Sequence, residues 1–108
     1  MVRCAAVLLF VLVNSMAHAN VTCSGVPQRV YAGAHGPNDA EGKFWVVFAD
    51  WQQYLLGHHS DSLSKSRFAL AQTALATGKS LELSFFFHST CEQARIDAAL
   101  PTAVAVAQ

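Results

Sequence analysis

Acid–base and metal chemistry need titratable side chains that converge on one point. The densest such set in this chain is His58-His59 with Asp61, to which His35 or His88 could add a further nitrogen. Adjacent side chains on an extended segment point to opposite sides, so two neighbouring histidines rarely share one ion. The set reads as polar loop residues ahead of a helix, and no metal site is assigned. The carboxylates stand singly, and neither a GxSxG turn for a serine nucleophile nor an HExxH pair for zinc occurs. No catalytic residue and no cofactor is assigned either. Binding chemistry has better material. Trp51 and Tyr54 bracket Gln52 and Gln53, and flat rings beside amide donors can take the face of a sugar. These four, with His35 from the Gly-rich stretch 33–42, are the candidate ligand-binding residues. The competing role for aromatic rings in a small domain is core burial, which fits Trp45 and Trp51 better than Tyr54.

The cysteines carry the one covalent expectation. Residues 1–19 have the parts of a secretory signal in order: Arg3, an apolar AAVLLFVLV run, and Ala17-His18-Ala19 as a small-x-small cleavage site. The run is short of the roughly 20 residues that a bilayer needs, so no membrane span is expected once the signal is removed. Cys4 leaves with that signal, and residues 20–108 retain two cysteines, Cys23 and Cys91. In a small exported domain such a pair is most simply a disulfide. Two free thiols in metal or redox chemistry would lack any CxxC spacing. Closing so long a loop stabilises by about 4 kcal/mol in the chain-entropy account. The expected location is secreted or periplasmic, where disulfides persist.

Residues 20–108 make one domain. Seven basic residues balance seven acidic ones in the full chain, and loss of Arg3 leaves a net charge near −1. That balance argues against nucleic acid, whose phosphates demand a basic face.

The elements that must position these residues follow from the pattern. Residues 21–34 read as a strand that is bulged, or lies partly at an edge, where Pro27 removes a ladder donor. Residues 33–42 are turn chemistry, and 43–49 (KFWVVFA) is a second strand, so the two form a hairpin with a long loop. Residues 50–59 read as a loop or short strand. Asp61 or Ser62 can cap a helix that runs to Gly78. Its expected apolar arc, roughly 160° wide, holds Leu63, Phe68, Leu70, Ala71, Ala74 and Leu75. Arg67 falls inside that arc, so either its stem packs there while its head snorkels, or the helix starts later. Residues 81–88 alternate, with Leu81, Leu83, Phe85 and Phe87 on one face. Phe86 on the other face suggests a partial cover. A short strand is expected at 95–98, and the Ala/Val-rich tail beyond Pro101 reads as an edge strand or a frayed end. The element order gives an α+β fold, a small antiparallel, partly open OB-like barrel packed on one helix and locked by one disulfide.

Cys23-Ser24-Gly25 leading into a Val/Tyr strand, then FALAQTALATGK (68–79) leading into LELSF (81–85) and Cys91, resembles a set of small exported bacterial proteins. The arrangement is similar to the binding subunits of pertussis-like and subtilase-type toxins. The resemblance spans roughly residues 21–91 and implies an OB fold, assembly into a homo-oligomeric ring of five, and glycan binding. No sugar-contacting residue of those subunits is matched here, so the implication is one of scaffold more than of site. The functional expectation is a non-catalytic binding module for a glycan or a protein. The alternative is a periplasmic inhibitor or accessory protein of a cell-envelope or host enzyme such as lysozyme.

Overall fold

The computed structural model describes residues 20–33 and 42–108. The signal segment and most of the 33–42 loop, His35 included, lie outside the described residues. Among the described residues six strands form: β1 (Val21–Gly25), β2 (Arg29–Gly33), β3 (Lys43–Val47), β4 (Gln53–His58), β5 (Ser80–Phe85) and β6 (Ala103–Ala107). A 3-10 turn (Ala49–Trp51) joins β3 to β4. Helix α1 (Ser62–Thr77) precedes β5, and a short helix α2 (Cys91–Ile96) precedes β6.

Pairing is antiparallel throughout, in two three-stranded sheets of order β2-β3-β4 and β1-β5-β6. The first expected strand is split at residues 26–28, where Pro27 cannot donate to a ladder. Its two halves enter different sheets, and Gln28 resumes pairing by donating to the Val47 carbonyl at 2.9 Å. The strand path therefore runs β4-β3-β2, turns at Pro27, and continues β1-β5-β6. The outer strands β4 and β6 do not pair with each other, so the barrel is open. Helix α1 packs against both of them and fills the opening. The result is the α+β, OB-like, partly open arrangement, and its core joins Val46, Tyr54 and Leu56 to Leu81, Leu83 and Phe85.

Asp61 is the cap of α1: its Oδ1 accepts from the Leu63 amide at 3.0 Å. Gly78, in the left-handed region at φ 68°, ends the helix. The docking face is narrower than the predicted arc. Ser64, Ala71 and Ala74 are buried, whereas Leu63, Leu70 and Leu75 stay exposed. Small residues win the contact because the helix crosses β4 at Gly57, where a Cβ would fall on the Ser64 hydroxyl. At so close an approach the larger leucines are left on the rim. Arg67 does lie within the arc, but its head does not reach for water. Its Nη1 donates to the Leu56 carbonyl at 3.1 Å and stands 3.8 Å from an Asp61 oxygen.

Three expectations near the second cysteine are corrected. Strand β5 stops at Phe85, so Phe86 and Phe87 belong to a turn and are exposed instead of covered or core-facing. Residues 95–98 are not a strand but the end of α2 and its cap. Cys91 is accordingly the first residue of that helix, and the Cys23–Cys91 disulfide ties α2, not the end of β5, to the middle of β1.

Candidate functional site

The β3–β4 connection is tight: the Phe48 amide donates to the Gln52 carbonyl at 2.8 Å. Closing that turn puts two consecutive non-glycine residues, Asp50 (φ 64°) and Trp51 (φ 62°), in the left-handed region. Aspartate tolerates this conformation; tryptophan does so at a cost of about 1–2 kcal/mol. The conformation carries the Trp51 ring out of the domain, where it is 77% exposed. Retained strain at a solvent-exposed aromatic marks a place to look for function.

Trp51 forms one wall of a cleft of about 490 Å³, lined also by Trp45, Gln53, Arg95, Ile96 and Ala98. Trp45 and Gln53 share one face of the β3–β4 pair, since Trp45 stands opposite Leu55 and Val47 opposite Gln53. The opposite wall comes from α2. Thr90 caps that helix, its hydroxyl accepting from the Gln93 amide at 3.1 Å. Its far end closes with Ala99 donating to Ala94 and Ala98 donating to Arg95, the two hydrogen bonds of a Schellman motif. Ala98 occupies the left-handed position, at φ 48°, that glycine usually takes there. Its conformation is thus explained by helix capping, unlike that of Trp51.

Arg95 is the charged group of the cleft. Its Nη1 donates to the Tyr54 hydroxyl at 2.8 Å, and its guanidinium carbon lies 5.4 Å from the centre of the Tyr54 ring. Tyr54 is itself fixed by Phe48 and Phe85, with ring centres 5.3 and 5.9 Å away. Among the described residues no carboxylate pairs with Arg95. At the outer end of α2, Asp97 accepts from Gln93 Nε2 at 2.9 Å and meets His88 Nε2 at 2.9 Å. The Gln93 hydrogen bond first, and the His88 contact second, hold the Asp97 carboxyl below its ordinary value.

The sequence candidates divide accordingly. Trp51 and Gln53 line the cleft. Gln52 is exposed beside it and is not among the lining residues. Tyr54, expected to be the more open ring, is 2% exposed and acts from beneath by holding Arg95; the openness belongs to Trp51. The polar set around β4 does not converge. Asp61 serves the helix cap, and the His59 ring meets the Gly42 carbonyl at 3.1 Å. Arg95, Ile96 and Ala98 are additions that the sequence pattern does not reveal, because it predicts a strand at 95–98. The available signal was Thr90-Cys91-Glu92-Gln93, the T-x-x-Q spacing of a capping box.

No protein-family model, no curated protein and no solved structure matches the chain. Among the described residues no helix is long and apolar enough to cross a membrane. The disulfide fits an oxidising compartment.

Proposed function

We propose that the protein is an exported, non-catalytic binding module whose cleft at Trp51 holds a sugar ring of a glycan. The observation that carries this reading is the Trp51 ring, exposed and held in a strained conformation on the wall of a cleft that also offers Gln53 and Arg95. A sugar's apolar face stacks on an indole while its hydroxyls accept from amide and guanidinium donors. Because Arg95 is already anchored to Tyr54, little side-chain entropy is lost when it engages a ligand. The cation makes the ligand neutral or acidic, not basic. Removal of residues 1–19 during export belongs to the same proposal, and so does the likeness to toxin binding subunits.

A printed array of oligosaccharides, probed with disulfide-intact protein, tests the reading. Binding to at least one sugar class is expected, with Trp51→Ala weakening it by about 2 kcal/mol, some thirtyfold. An array without hits, or binding that Trp51→Ala leaves unchanged, refutes it. A protein partner is the second reading, as for an inhibitor of an envelope or host enzyme such as lysozyme. It is favoured by the turn that presents Phe86 and Phe87 to solvent. A pull-down from envelope extract that loses its captured enzyme with Phe87→Ser would support it.

A further inference from the structure

One wall of the cleft belongs to a single excursion of the chain. Arg95, Ile96 and Ala98 lie within residues 86–101, which leave the sheet after β5 and return to it at β6. The neck of this excursion is closed by the sheet itself. Ser84 pairs with Ala103, the Thr102 amide donates to the Ser84 carbonyl at 2.7 Å, and the Phe86 amide donates to the Thr102 hydroxyl at 3.4 Å. A compact loop whose ends are fastened side by side can open as a unit without unzipping the strands that carry it.

Beyond the neck, the non-covalent anchors of the excursion are few. Of residues 86–100 only Ala94 is buried, and a methyl group is a small apolar anchor. Ala99 packs partly buried on the core, His88 sets its ring edgewise to Phe85 at 6.3 Å, and Arg95 donates to the Tyr54 hydroxyl. The contacts of Thr90 with Gln93, Gln93 with Asp97 and His88 with Asp97 join residues of the excursion to one another and would travel with it. Helix α2 is not self-supporting, since isolated helices shorter than about 12–15 residues are marginal in water and this one has six. The covalent bond from Cys91, its first residue, to Cys23 on β1 is the strongest tie of the excursion to the barrel.

We propose that residues 86–101 are a flap whose closed position, and with it the cleft, depends on the oxidised Cys23–Cys91 pair. Its consequence for ligand capture rests on the sugar-binding reading, whereas release of the flap does not. Cys23 is buried and Cys91 half-buried, so an incoming thiolate meets the sulfur of Cys91. A dithiol reductant attacks there, forming a mixed disulfide with Cys91 and expelling the Cys23 thiolate; its second thiol then displaces the Cys91 thiolate. The two protons of the reductant end on the Cys23 and Cys91 sulfurs, and the reductant, having given two electrons, leaves as its own disulfide. The packing of Val46, Tyr54 and Leu56 on Leu81, Leu83 and Phe85 involves no flap residue and stays. Arg95, Ile96 and Ala98 swing away, and Trp51 loses the wall that faces it.

Amide hydrogen exchange on the purified protein, first oxidised and then reduced with dithiothreitol, is the test. On reduction the hydrogen-bonded amides of Ala94, Asp97 and Ala99 should exchange at least about thirtyfold faster, while β5 and β6 keep their protection and the far-ultraviolet circular dichroism persists. Cys23→Ala with Cys91→Ala should reproduce that pattern without reductant. Arg95→Ala in the oxidised protein should speed the same amides by less than about tenfold, the effect of one hydrogen bond. Equal protection of α2 in both redox forms overturns the proposal. So does loss of protection in every strand on reduction, or release of α2 by Arg95→Ala with the disulfide intact. The oligosaccharide array separates the two claims. A sugar captured by the oxidised protein should be lost on reduction, and equal capture by both forms overturns the regulation. An array without hits for the oxidised protein refutes the sugar site, while exchange still decides the flap.

Discussion

Replacing Gly57 by alanine should be among the most damaging single changes in this domain. A methyl at that position would fall on the Ser64 hydroxyl and within 2.6 Å of Ser64 Cβ, at a site where Ser64 is fully buried. Forcing an extra carbon into a packed contact costs about 1–3 kcal/mol. The backbone there sits at φ 140°, which alanine adopts only at a further cost of about 1–2 kcal/mol. Moving α1 away to relieve the clash would stretch the 3.1 Å hydrogen bond from Arg67 to the Leu56 carbonyl, worth about 1 kcal/mol. The sum is about 3–6 kcal/mol, against a total of about 5–10 for a domain of this size. Urea unfolding with the disulfide intact measures it, the midpoint dropping at unchanged slope. Ser64→Gly separates the two causes, because it removes the clash but leaves the alanine at positive φ. On its own it costs about 1 kcal/mol as a glycine inside a helix. In the Gly57→Ala background it should restore about 2 kcal/mol, and with its cost of about 1 kcal/mol alone that is a coupling energy of about 3 kcal/mol. A Gly57→Ala loss below about 1 kcal/mol, or a coupling within about 0.5 kcal/mol of zero, would refute the close-crossing account.

Converting both Cys23 and Cys91 to alanine opens a loop of sequence separation 68 and should lower stability by about 4 kcal/mol, read from the same urea transition. A loss under about 1 kcal/mol would mean that the unfolded chain is already constrained in other ways. For Asp97 the folded carboxyl lies below its ordinary value of 3.8, so the stability it lends is present above that value and is lost as the pH falls through the lower folded value. Asp97→Asn should therefore flatten the acid end of the stability–pH curve, below about pH 4, and leave neutral pH nearly unaffected because the group is exposed. An unchanged acid limb in thermal melts would contradict the assignment.

Those parts of the fold that rest on local chemistry were legible. Pro27 broke the first strand because it lacks an amide, Gly78 stopped the helix in the left-handed conformation, and Leu81, Leu83 and Phe85 alternated because their strand is half-buried. What the pattern misjudged was decided by partners distant in sequence. The arc of α1 counted Leu63, Leu70 and Leu75 as core by hydrophobicity, but the depth of the contact was set by Gly57 on β4 meeting Ser64. Nothing within the helix reveals that its smallest residues would touch the sheet. Phe86 and Phe87 failed for the same reason, since a period of two cannot say where a strand stops.

The candidate site shows the limit from the other side. Sequence reasoning singled out Trp51 and Gln53 because rings beside amides are a binding chemistry that is local and visible. It then ranked Tyr54 above Trp51 for openness, on the ground that large rings in small domains are buried. That reasoning is sound for residues inside strands, and Tyr54, one step into β4, obeys it at 2% exposure. Trp51 escapes it through backbone conformation: in the turn that Phe48 and Gln52 close, left-handed dihedrals at Asp50 and Trp51 turn the ring outward. No side-chain scale predicts such a pair, and a tryptophan kept there against its own preference is what separates a cleft wall from an accident of packing. The expectation that follows is directional. Trp51→Gly, which accepts positive φ freely, should raise stability by about 1 kcal/mol while weakening ligand capture about as much as Trp51→Ala. A domain that loses stability on that change would have its indole in the fold and not in the site.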